Sequence, residues 1–93
     1  MLKFTRSTDG ANATYKLYDG ASTMDINLNM LNEVVSCGNQ RLKLSHDKKR
    51  DIPEIVSIIK DLGMHVKTQD FESVRNLVED MYDISAIKIA EMY

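Results

Sequence analysis

The chain has 93 residues, 43% hydrophobic and 28% charged, a composition that excludes a disordered tail and fits one compact domain over residues 1–93. Six methionines, no tryptophan and a single cysteine leave an aliphatic core and exclude an intramolecular disulfide. The net charge of −2 conceals an asymmetry: residues 41–60 hold six basic and three acidic groups, residues 61–93 three and seven, and such a division can orient a partner. The opening "MLKFTRSTDG" has no apolar run and no stretch reaches membrane-spanning length, so the expected compartment is cytoplasmic and reducing.

Two Asp-Gly pairs, Asp9-Gly10 and Asp19-Gly20, stand ten residues apart among alternating residues. Asp-Gly suits a two-residue hairpin loop, where positive φ is needed. Pairing across the first turn sets Phe4 opposite Tyr15 and Leu2 opposite Leu17; across the second, Tyr15 faces Met24 and Ala13 faces Ile26. One register gathers the large apolar residues on one face, as a sheet requires. The pattern predicts a three-strand antiparallel meander over residues 2–29, with Lys3, Thr5, Thr14, Lys16, Tyr18, Thr23, Asp25, Asn27 and Asn29 on the outer face. A helix over residues 25–35, using Met24, Leu28, Leu31 and Val35, is the competing reading.

Gly38-Asn39 predicts a further turn that pairs Val35 with Leu42, and a fourth strand over residues 40–45. The inward parity changes between Met30 and Val35, which requires a bulge or one helical turn near Leu31-Asn32. His46 to Arg50 reads as a charged loop ending at Asp51, the expected N-cap of a first helix with Pro53 in its first turn and Glu54 three residues on. Its apolar stripe is Ile52, Ile55, Val56, Ile59 and Leu62, closed by Gly63. Residues 64–68, "MHVKT", alternate like a short strand. Asp70 is placed to cap a second helix with the stripe Phe71, Val74, Leu77, Val78 and Met81. Continuing past Asp83 would put Ser85 and Lys88 in that stripe, so the helix is expected to stop there and "SAIKIAEMY" to form a C-terminal strand. The fold class is α+β, a meander of three to four strands packed by two amphipathic helices.

Chemistry-bearing motifs are sparse. Cys37, His46 and His65 are the whole Cys and His inventory, short of the four ligands of a structural zinc site and without metal-ligand spacing. A Cys37–His46 pair has no built-in catalytic geometry, and each glycine is explained by a turn or a helix end rather than a phosphate loop. No cofactor is expected. The basic residues Arg41, Lys43, Lys48, Lys49 and Arg50 form one candidate patch, bracketed by Asp47 and Asp51. The acids Glu72, Glu79, Asp80 and Asp83 flank the second helix and form another.

These patterns predict a small non-enzymatic binding protein, an inhibitor, adaptor or regulatory subunit whose partner is another protein. Meander-plus-helix modules occur among DNA-arm-binding domains and phage-encoded accessory inhibitors, but no motif ties the chain to either. The alternative is a nucleic-acid-binding module that uses the outer sheet face and the basic segment 41–50. A meander also leaves open edges, so a homodimer is expected, with residues 85–93 supporting either the dimer or the fold.

Overall fold

The computed structural model describes residues 1–93 and has the expected α+β arrangement, five antiparallel strands followed by two helices. The strands β1 (Lys3–Asp9), β2 (Asn12–Tyr18), β3 (Thr23–Asn29), β4 (Val34–Cys37) and β5 (Gln40–Lys43) lie side by side in chain order. Helix α1 spans Lys48–Asp61, a 3-10 turn covers Thr68–Asp70, and helix α2 spans Phe71–Met92.

The faces of the meander are those expected, but both registers differ by two residues. Phe4 pairs with Leu17 and Arg6 with Tyr15, while Tyr15 pairs with Ile26 and Leu17 with Met24. An even slip preserves the faces, because side chains alternate with a period of two. The turns cause the slip. Asp9 still pairs with Asn12, so the first loop is Gly10-Ala11, with Gly10 at φ +61° in the position where a type II′ turn needs it. In the second, the Asp19 carboxylate accepts from the N–H groups of Ala21 (2.9 Å) and Ser22 (2.7 Å), which stabilises a longer loop.

The parity change is made by one helical turn over residues 30–33, where the Glu33 N–H donates to the Asn29 carbonyl at 2.8 Å and Glu33 takes φ +58°. That turn separates β3 from β4, so the sheet has five strands and the competing helix over residues 25–35 does not form. Val35 pairs with Leu42 as expected, and β5 ends at Lys43.

The helices bring three corrections. Asp47 caps α1, accepting from the Lys49 N–H at 3.1 Å, and Asp51 lies within the first turn with its carboxylate directed back at the preceding loop. Lys48, Lys49 and Arg50 are therefore helical. Residues 64–67 form no strand, although Met64 and Val66 are buried and His65 is exposed. Helix α2 runs through Asp83 to Met92, and no C-terminal strand exists. The stripe tolerates the extension because Ser85 is small enough to be fully buried, while Lys88 is half-buried and its ammonium reaches Glu91 at 3.7 Å.

One face of the sheet packs against the helices. Its Tyr15, Leu17, Ile26, Leu28 and Val35 meet Ile55 and Ile59 of α1 and Val74, Leu77, Val78 and Met81 of α2. Two expected stripe members, Leu62 and Phe71, are 42% and 48% exposed, and Ile52 and Val56 are half-buried. Leu62 follows the last residue of α1 and leans towards Gly38; Phe71 opens α2 beside Ile52, Pro53 and Val56. No helix is long and apolar enough to cross a membrane.

Candidate functional site

The basic segment is held by a polar knot that sequence reasoning missed. The buried Asp51 carboxylate accepts from the Ser45 and His46 N–H groups (3.0 and 3.1 Å), the Ser45 hydroxyl (2.7 Å) and the Tyr82 hydroxyl of α2 (2.5 Å). Burial pushes its pKa up, but the hydrogen bonds from Tyr82, Ser45 and His46 outweigh that and hold it below the usual carboxylate value. Burial and the Asp51 charge push the Tyr82 phenol well above its ordinary value, so it stays a donor. The His46 ring stacks on Tyr82, with centroids 4.6 Å apart, and its Nε2 meets the Glu33 carboxylate. Ser45 and Asp51 are six residues apart in the chain, but Tyr82 is thirty-one further on than Asp51, beyond any local pattern.

This knot fixes where α1 begins. The five predicted basic residues are all exposed, but they divide between two layers. Arg41 and Lys43 lie on β5, alternating with the inward Leu42, and Lys43 Nζ donates to the Asn32 carbonyl. Lys48, Lys49 and Arg50 form the first turn of α1: Lys48 faces Glu79 at 3.6 Å, Arg50 pairs with Glu54 at 3.2 Å, and Lys49 has no acidic partner.

The predicted acidic residues are mostly engaged inside the molecule. Glu72 pairs with Arg75 at 2.6 Å, and Glu79 lies between Arg75 and Lys48. Asp80 accepts from Arg6 Nη1 at 2.8 Å and from the Tyr15 hydroxyl at 2.6 Å, tying α2 to β1 and β2. Asp83 is exposed and makes no ion pair. The chain's charge asymmetry thus folds back on itself, with the basic start of α1 lying against the acidic side of α2.

Beside these charges lies an apolar cleft of about 300 Å³ lined by Ile52, Pro53, Val56 and Phe71. Lys49 precedes the cleft's lining residues Ile52 and Pro53 by one helical turn. The half-buried Ile52 and Val56 form its floor against the core, and exposed Phe71 forms a wall. The only sequence signal for it is Phe71 directly after Asp70, a first-turn position that the stripe reading assigned to the core; Asp70 precedes α2 as expected, but its carboxylate accepts from the Lys67 and Leu2 N–H groups and makes no capping bond to the helix. A second apolar patch gathers Leu31, Ile89, Met92 and Tyr93 at the end of α2.

The reactive candidates are placed apart from this cleft. Cys37 is half-buried, its Sγ donates to the Asp25 carbonyl at 3.1 Å, and burial together with Asp25 pushes the thiol up, which leaves little thiolate at neutral pH. No group of three or more His, Cys, Asp or Glu is arranged to hold a metal ion. Comparison of the chain with protein-family models, with curated proteins and with solved structures finds no match.

Proposed function

We propose that the chain is a non-enzymatic binding protein, an inhibitor, adaptor or small regulatory subunit, which occupies a partner protein through the apolar cleft of its helical pair. The supporting observation is Phe71, 48% exposed at the first turn of a helix and walled with Ile52, Pro53 and Val56. An aromatic beside an aliphatic floor, with Lys49 one helical turn before Ile52 and Pro53 and Arg75 one turn after Phe71, fits the anatomy of an interface, an apolar centre with charges near it. Lys49 adds to the case. A lysine in the first helical turn opposes the helix dipole, and the Lys49 ammonium makes no ion pair, unlike the charged groups of its neighbours Lys48 and Arg50.

The test is affinity purification of the tagged chain from native lysate, with mass spectrometry of what co-purifies. A protein partner retained by wild type and by Lys16→Glu, but lost by Phe71→Glu, is the expected result. Retention by Phe71→Glu, or recovery of nucleic acid alone, overturns the reading. The second reading, nucleic-acid binding, draws on the open polar sheet face that carries Thr5, Thr14, Lys16 and Tyr18 on β1 and β2, with Arg41 and Lys43 on β5 at its far edge. It requires affinity to fall steeply with salt and to weaken on Arg41→Ala/Lys43→Ala. Asp9 and Asp25 on that same face oppose it.

A further inference from the structure

Strand β1 is a terminal strand of the sheet. Six of its seven residues are exposed, and it carries neither proline nor bulge; Lys3 and Arg6 are its only basic residues, and Arg6 is tied back to Asp80. The two-residue turn bonds Asp9 to Asn12, so the alternate residues Lys3, Thr5, Ser7 and Asp9 direct their backbone groups at β2. The N–H and C=O groups of Phe4, Arg6 and Thr8 then point away from the sheet. Leu2 shows the same phase, since its N–H leaves the sheet and donates to Asp70 at 2.9 Å.

We propose that β1 pairs antiparallel with β1 of a second copy, Arg6 opposite Arg6 on the two-fold axis, joining two sheets into one. In this register Arg6 meets its equivalent and Phe4 meets Thr8, each pair exchanging two backbone hydrogen bonds. On the outer face Lys3 stands opposite Asp9 and Thr5 opposite Ser7, and symmetry repeats both pairs. Opposite charges and hydroxyl pairs directly across a ladder are stabilising. A slip of one residue sets outward backbone groups against inward ones. A slip of two leaves Lys3 or Asp9 without its opposite charge. The like charges on the axis are already compensated, because each Arg6 guanidinium is held by Asp80 of its own chain at 2.8 Å. The flank of α2 that carries Asn76, Asp80 and Ile87 at helical spacing then faces the same flank of the second copy. This dimer leaves the Phe71 cleft free, and it goes beyond the binding function without depending on it.

The experiment is light scattering of the full chain across the micromolar to millimolar range, with circular dichroism at low concentration to confirm folding. Wild type is expected to rise from 10.6 kDa towards twice that mass. Lys3→Glu and Asp9→Lys singly should each weaken the dimer by about tenfold, and the double exchange should restore it. Should a charge variant fail to fold, cysteine pairing decides. In a Cys37→Ser background, Thr5→Cys mixed with Ser7→Cys under copper-phenanthroline oxidation should give more disulfide-linked dimer than either alone. A constant monomer mass, a dimer indifferent to both charge reversals, or no excess of the mixed disulfide overturns the proposal.

Discussion

A carboxylate without exposed surface is costly unless protein donors replace its water, and Asp51 has donors from the preceding loop and from the second helix. Removing the acceptor leaves those donors unmatched. Asp51→Ala is therefore expected to lower unfolding free energy by about 3 kcal/mol, and Tyr82→Phe by about 1.5 kcal/mol, both read by urea denaturation. The pH dependence has a definite sign. Asp51 is held below the ordinary carboxylate value against the effect of burial, and Asp70 is held below it by the N–H groups of Lys67 and Leu2. Groups whose folded value is depressed contribute fully above the unfolded value, and that contribution disappears as pH falls through the folded one. Stability should thus decline on acidification below about pH 4. In Asp51→Asn, less stable at neutral pH, the decline should be shallower, so the two curves converge in acid.

At the scale of elements, α2 carries the clearest test. Ser85 is fully buried and its hydroxyl has no hydrogen-bond partner. Ser85→Ala removes an unmatched polar group and improves helix propensity, so the unfolding midpoint should rise by the equivalent of about 1 kcal/mol. Deleting residues 84–93 should destabilise the fold, because Ile84 packs on the core, whereas deleting the exposed 91–93 should not. The same segment shows where sequence reading ends. Ser85, Ile87, Ile89 and Glu91 alternate as a strand does, and nothing local reveals that Ser85 will be buried on a helix. The strand faces were legible because Phe4, Tyr15, Leu17 and Ile26 keep their side under any even slip; the register was not, because it depends on Gly10 opening the loop and on Asp19 bonding two N–H groups. The start of α1 was displaced by four residues for a related reason. Asp47 and Asp51 are both competent caps, and the choice rests on Tyr82 reaching Asp51 from the other helix. The basic and acidic candidates were legible as residues, while the apolar cleft between them was not, because it joins Val56 to Phe71 across the chain reversal.

For the whole molecule, the distribution of charge separates stability from binding. Lys48, Arg75 and Glu79 form an internal network, and Asp80 secures the helices to the sheet, so these charges have partners already. Lys49 differs from its neighbours Lys48 and Arg50: it is exposed, makes no ion pair, and stands at the positive end of a helix dipole one turn before the cleft residues Ile52 and Pro53. A residue that lowers stability without structural return is the pattern expected where surface serves a partner. Lys49→Glu reverses the unfavourable dipole term and should stabilise the isolated chain by about 0.5–1 kcal/mol, read as a higher melting temperature. Rim charges act mainly through association rate and its salt dependence, so the same variant should bind the co-purifying partner more slowly, with the difference from wild type shrinking as salt rises. Greater stability with unchanged association kinetics would place the contact elsewhere, and the edge strand β1 and the patch around Leu31 and Met92 would then be the surfaces to mutate next.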